Sequence, residues 1–164
     1  MESIGLISDT HGPLKTGVQE LFGGVDRIVH AGDIVGESVL AELGELAPVI
    51  AVRGNMDHNE PSGRDLADKE IFRSGELTFC VVHDFRILTG SLKGIDVVLS
   101  GHTHIAEVGT DPRGVLSVNP GSAGKIKELG SPRSVARLEV EGREIAVEVL
   151  SLTGKILLSD SYSL

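Results

Sequence analysis

The chain has 164 residues, of which 40% are hydrophobic and 24% charged, and a net charge of −9. That composition suits one globular domain over residues 1–164 with an ordinary core, and the acidity argues against nonspecific binding to nucleic acid or an anionic membrane. One cysteine, Cys80, leaves no intrachain disulfide, and the absence of a signal segment or a long apolar run leads to the expectation of a cytoplasmic protein with no membrane attachment.

Ser3 to Ser8 is short and apolar on both faces, as in a strand of a covered sheet, and it stops at Asp9-Thr10-His11-Gly12-Pro13. Leu14, Val18, Leu21 and Phe22 then form a helical stripe that ends at Gly23-Gly24. A second strand, Asp26 to His30, runs into Ala31-Gly32-Asp33, and Val35 to Leu46 carries a second helical stripe. A third strand, Pro48 to Val52, is closed by Arg53-Gly54-Asn55-Met56-Asp57-His58. This alternation predicts a parallel sheet with crossover helices.

The pattern then changes. Lys69 to Arg73 and Leu77 to Val82 flank Ser74-Gly75-Glu76 as a hairpin, with a short helical piece over Phe85 to Thr89 and a strand over Ile95 to Leu99. Asp111-Pro112-Arg113-Gly114 is a turn between short strands near Val108 and Leu116, and Asn119-Pro120-Gly121-Ser122 breaks the chain again. Ser134 to Glu141 and Glu144 to Leu152 form another hairpin; Lys155 to Leu158 is the last strand, and the tail beyond it is weakly specified. About ten strands are too many for one open sheet, so two stacked sheets with helices outside are expected. The β-rich half also offers edges through which copies of the chain could pair as a homo-oligomer.

Chemistry-bearing side chains collect at strand ends. Asp9 and His11 follow the first strand, Asp33 the second, Asn55 and Asp57 the third. His83 follows the strand ending at Val82, and His102 and His104 follow the one ending at Leu99. In open α/β sheets, sites form outside the carboxyl ends of the strands, so these groups should converge on one rim. His102 and His104 are two residues apart, and in an extended segment they would project to the same side. Each residue alone has an ordinary reading as a cap, turn residue or satisfied polar group; together they point to a metal site. Mixed carboxylate and imidazole ligands suit divalent transition metals better than calcium or magnesium.

The set Asp9-x-His11, Gly32-Asp33, Gly54-Asn55, His83 and Gly101-His102-x-His104, spread over residues 4 to 122, resembles the calcineurin-like metallophosphoesterases, and within them the small YfcE-like phosphodiesterase branch. The resemblance implies a four-layer α/β-β/α sandwich of two mixed β-sheets flanked by helices. It also implies two divalent ions, with manganese first and nickel, iron or zinc as alternatives. One ion would take Asp9, His11, Asp33 and His104; the other would take Asp33, Asn55, His83 and His102, with Asp33 bridging. A hydroxide bridging the ions would attack phosphorus in line, and Asn55 would steady the phosphoryl oxygens. Arg53 is a candidate phosphate clamp, with a structural ion pair as its alternative.

Two departures from that family stand out. Many members carry a histidine after Gly-Asn as general acid, whereas this chain has Met56, which has no proton to give. Asp84 follows His83 where relatives commonly carry glycine. The expected activity is therefore a metal-dependent phosphodiesterase acting on small phosphate esters with good leaving groups. A phosphomonoesterase or nucleotidase on the same site is one alternative. A protein-contact scaffold, as in the related retromer subunit, is the other. Rim loops Asn59 to Asp68 and Gly121 to Ser131 would set specificity, and nothing in the sequence provides the basic track or stacking platform of a nuclease.

Overall fold

The structure, a computed structural model, describes residues 1–88, 92–126 and 130–164. Thr89, the end of the expected helical piece, and part of the Gly121 to Ser131 loop lie outside the described residues.

The first strand, β1 (Glu2–Ile7), sits inside a six-stranded sheet and pairs in parallel with β2 (Arg27–His30), which pairs in parallel with β3 (Val49–Ala51). On its other side β1 runs antiparallel to β9 (Ser134–Glu141), which forms a hairpin with β10 (Glu144–Ser151), and β11 (Ile156–Ser163) closes that edge. The last strand runs well beyond the expected Leu158. Its polar stretch hides the signal, but it pairs along β10, and Tyr162 and Leu164 pack on the central core.

The second sheet has five strands in the order β4-β5-β6-β8-β7: β4 (Lys69–Ser74), β5 (Leu77–Val82), β6 (Val97–Leu99), β7 (Ala106–Thr110) and β8 (Leu116–Pro120). The hairpins β4–β5 and β7–β8 are antiparallel as expected. The β5–β6 and β6–β8 pairings are parallel, which makes this sheet mixed as well. The carboxyl ends of β5, β6 and β8 therefore share one edge, as do those of β1, β2 and β3.

Ile4, Leu6 and Val29 from one sheet meet Phe79, Val81 and Leu99 from the other in a shared core, which also takes in Ala136 and Leu138. A second cluster packs Ile7, Ile28 and Val135 beneath the helices through Val18, Phe22, Val39 and Leu43. Both helices are shorter than expected. The first, α1 (Val18–Leu21), cannot begin at Leu14, because Gly17 has a φ of 101° and a side chain there would strike the carbonyl of Leu152. The second, α2 (Glu37–Gly44), starts late because Val35 has a positive φ of 49° and its amide is bound by Asp57. Outside the second sheet, a 3-10 turn at Phe85–Ile87 leads into the stretch in which Leu88, Leu92 and Ile95 cover Cys80, Val82 and Val98. Two mixed sheets with few helices make up the α/β sandwich, and its fourth layer is thin. No helix among the described residues is long and apolar enough to cross a membrane.

Candidate metal centre

The two sheets join at their strand ends. Asp9 N donates to Gly32 O, His11 N to Asp33 O and Gly12 N to Ile34 O, each at 3.0 Å, which zips the loop after β1 to the loop after β2. His83 Nδ1 lies 2.7 Å from Ala31 O and Gly101 N donates to His83 O at 3.0 Å, tying in the second sheet. Gly54 and Gly101 permit this approach. A side chain at Gly54 would collide with Asp33, and one at Gly101 with Ser8 and Asp9. Neither position tolerates a Cβ without moving a candidate ligand.

The side chains form two overlapping sets. Asp9, His11 and His104 make the first, with His104 Nε2 3.1 Å from Asp9 Oδ1 and 3.4 Å from His11 Nε2. Asp9, Asp33 and His83 make the second, with His83 Nε2 3.4 Å from Asp33 Oδ2. Asp33 Oδ2 also lies 3.5 Å from His11 Nε2, so one carboxylate oxygen faces both sets. Asn55 Oδ1 is 3.1 Å from His83 Nε2 and 3.1 Å from His102 Nδ1, which extends the second set toward solvent. All seven candidate ligands (Asp9, His11, Asp33, Asn55, His83, His102 and His104) thus converge, directly or through one neighbour.

The chain holds these groups at a conformational cost. Asp9, His11, Asp33, His102 and His104 all have positive φ, between 47° and 68°, and Val35 is the other described non-glycine residue with this geometry. Such positions cost about 1–3 kcal/mol each and persist where the surroundings over-determine them. His102 and His104 are therefore not side by side on an extended segment, as their spacing suggested. Left-handed turns send them to different sets.

Several supports went unrecognised in the sequence. Asp57, fully buried, accepts from Ile34 N, Val35 N and Gly54 N at 2.8–3.0 Å and locks the loops after β2 and β3 together. Asn119 donates to Gly101 O at 2.8 Å and Thr103 Oγ1 at 3.1 Å, pinning the turn that carries both histidines. Ser122 Oγ donates to Asp9 O. These residues stood in motifs already singled out, Asp57 beside Asn55 and Asn119 in Asn-Pro-Gly-Ser, but their targets are distant in sequence. His30 is buried behind these loops: it accepts from Gly32 N and meets Thr10 Oγ1 at 3.1 Å.

Arg53 binds Asp68 Oδ1 through Nε at 3.0 Å and Nη2 at 2.8 Å, in line with the structural ion pair that was one of its two readings. The arginine that reaches the cluster is Arg86, with Nη2 2.9 Å from His102 Nε2, and no sequence signal marks it. His58 is exposed, while Met56 is half-exposed and its amide binds Asp33 Oδ1 at 2.9 Å.

Electrostatics and satisfaction both favour a cation. Asp9 Oδ2 accepts from Ser8 Oγ and His102 N, but its buried Oδ1 has no hydrogen-bond partner and points at His104. An unsatisfied buried carboxylate oxygen carries a heavy desolvation penalty that a bound ion would offset. Burial pushes the His11 pKa down despite Asp33 and Asp9, keeping the ring neutral near pH 7. Burial pushes Asp33 up, but the His83 hydrogen bond and the Met56 amide outweigh it, so the carboxylate ionises more readily than usual. For His83, burial disfavours charge, but Asp33 and Asp9 more than compensate, and the ring is more basic than usual. Its Nδ1–H is committed to a carbonyl, so Nε2 faces the cluster, the arrangement that orients histidine ligands. Binding a divalent ion at Nε2 requires that nitrogen to be unprotonated. The donor set therefore fits the transition-metal ions expected from it.

The model of the calcineurin-like phosphoesterase superfamily domain matches residues 2–143. The chain belongs to that superfamily. A probable metallophosphoesterase of Methanothermobacter thermautotrophicus is 36% identical over 160 residues, covering 90% of this chain and 91% of the relative. Among solved structures, vacuolar protein sorting 29 of Cryptosporidium parvum superposes with a TM-score of 0.80 at 20% identity, covering 99% of this chain and 98% of that one. YfcE, a phosphoesterase from E. coli, superposes with a TM-score of 0.72 at 24% identity, covering 96% and 98%. At those identities the two structures establish the metallophosphoesterase fold. Membership of the superfamily makes the chain a metal-binding phosphoesterase by family, with a hydrolase's chemistry.

Proposed function

We propose that the chain is a phosphodiesterase that works through two divalent ions sharing Asp33. The observation that carries this reading is Asp33 Oδ2, which lies 3.5 Å from His11 Nε2 and 3.4 Å from His83 Nε2, between the two ligand sets. Asp9, His11, Asp33 and His104 would hold one ion, and Asp33, Asn55, His83 and His102 the other. Manganese is the first choice among manganese, nickel, iron and zinc, all of which suit nitrogen and carboxylate donors.

Bound divalent ions supply Lewis acidity and make a nucleophile of water at neutral pH. The chain's own residues do the rest. Asp33 and Asp9 keep the nitrogens of His11, His83 and His104 turned inward. Asn55, exposed at the rim with Oδ1 facing the histidines, has its amide nitrogen free to donate to a phosphoryl oxygen. Met56 occupies the position of a general acid without a proton to donate, so departure of the alcohol rests on its own acidity. Esters with acidic leaving groups are the substrates this favours, in small molecules rather than polymers, in keeping with the acidic surface and a cytoplasmic setting.

The test compares bis(4-nitrophenyl) phosphate with 4-nitrophenyl phosphate, using metal-free protein with and without Mn²⁺ and a His104→Ala control. Mn²⁺-dependent diester hydrolysis well above the control supports the reading. Preferential monoester turnover would replace it with a phosphomonoesterase, and no activity above the control would replace it with a protein-contact scaffold, the alternative that Met56 keeps open.

A further inference from the structure

His83 and His102 are fixed by different partners. His83 Nδ1 meets only a carbonyl, Ala31 O at 2.7 Å, so the ring proton sits on Nδ1 and Nε2 is the nitrogen a metal would take. His102 is arranged the other way. Its Nδ1 faces the cluster, 3.1 Å from Asn55 Oδ1 and 3.3 Å from His83 Nε2. Its Nε2 faces outward, 2.9 Å from Arg86 Nη2. A guanidinium has only donors, so the outer nitrogen must carry the lone pair and the inner one the proton, which it donates to Asn55. In that tautomer the nitrogen that faces the cluster has no lone pair to offer a metal.

The alternative tautomer has a partner within reach. Asp84 Oδ2 lies 3.7 Å from His102 Nε2, and a carboxylate there would accept from an Nε2–H and leave Nδ1 free as a ligand. Arg86 holds that carboxylate in a fork, Nε to Oδ1 at 3.0 Å and Nη2 to Oδ2 at 2.8 Å. The same guanidinium therefore satisfies Asp84 and blocks its approach to the ring.

Resting on the two-metal reading, we propose that Asp84 and Arg86 are positioning residues that choose the tautomer of His102 and so govern filling of the second metal position. Arg86 holds the ring in the form that cannot ligate. Asp84 holds it in the form that can. The exchange gives the Nδ1 proton to solvent and takes one back on Nε2, so the two forms carry the same number of protons. Arg86 leaves Nε2 as this happens, which releases a guanidinium at the rim of the site.

The histidine-ring spectrum of ¹⁵N-labelled, metal-free full-length protein reads the tautomer directly, and calorimetry with Zn²⁺ alone, a diamagnetic probe, reads the two binding events. The wild type is expected to show His102 protonated on Nδ1 without metal and on Nε2 once two ions are bound. Arg86→Met should shift the metal-free ring toward Nε2–H and tighten the second event. Asp84→Ala should weaken the second event by about 10–100-fold and leave the first unchanged, and Asp84→Asn, which keeps an acceptor oxygen, should recover part of the loss. A metal-free wild type with Nε2–H overturns the proposal, as does an Arg86→Met ring spectrum identical to the wild type's. If the wild type takes a single ion, the two-metal reading falls, while the metal-free spectra still decide the tautomer claim.

Discussion

The inner and outer halves of the centre are built differently. Asp9, Asp33 and His83 have side chains that are 0, 4 and 5% exposed, and backbone contacts fix all three. His102 is 30% exposed and takes its orientation from Asn55 and from Arg86, themselves surface residues. The inner half is preorganised, with an acceptor already aimed and unsatisfied. The outer half is adjustable. Affinity for a first ion should therefore be set by the fold, and affinity for a second by side chains that can rearrange.

The sharpest way to break that contrast is at the inner half. Asp33→Asn removes the shared carboxylate and is expected to lower metal-dependent hydrolysis by on the order of 10³-fold, since such metal stabilisation is worth several kcal/mol. Steady-state rates at saturating Mn²⁺ measure it. Asp9→Asn should likewise abolish activity yet stabilise the metal-free protein by about 1–2 kcal/mol, because an amide can donate to His104 where Oδ1 now has no partner. Denaturant unfolding would contradict the account if that variant were less stable than wild type.

His30, behind the inner half, gives a pH-dependent version of the same contrast. Burial lowers its pKa to about 4 from 6.5, so between those values the unfolded chain binds the extra proton and the folded chain does not. The associated stability is complete above pH 6.5 and is lost as pH falls through about 4, a loss of about 3 kcal/mol. Unfolding of metal-free protein across that window should show the slope, and His30→Asn should flatten it. Effects at the rim are smaller. Met56→His restores a proton donor and should raise alkyl-ester turnover about 10-fold or more relative to aryl esters, a modest share of the usual general-acid effect. Arg53→Ala should change turnover less than threefold, since its guanidinium is engaged by Asp68, and such an exposed pair is worth about 0–1 kcal/mol.

The same division explains what was legible in the sequence. The β1-α1-β2-α2-β3 unit and the hairpins around Gly75 and Gly142 follow from periodicity and turn residues, which act over a few positions. The ligand-type residues were visible because each ends a strand. What the sequence concealed depends on distant pairing. The parallel β5–β6–β8 order could not be inferred from alternation, and the start of α1 depends on Gly17 meeting Leu152. His102 and His104 looked like neighbours on one face until their positive φ angles separated them. Arg53 was the visible arginine because it sits in a motif, and Arg86 was not because its only distinction is to reach His102 across 16 positions of chain.

The central claim is that two ions share Asp33, and titrating metal-free protein with Mn²⁺ while recording its electron paramagnetic resonance spectrum tests it most directly. Two ions per chain with a spin-coupled signal, reduced to an uncoupled signal in Asp33→Asn, is the predicted result. A single uncoupled ion at saturation in the wild type would contradict it.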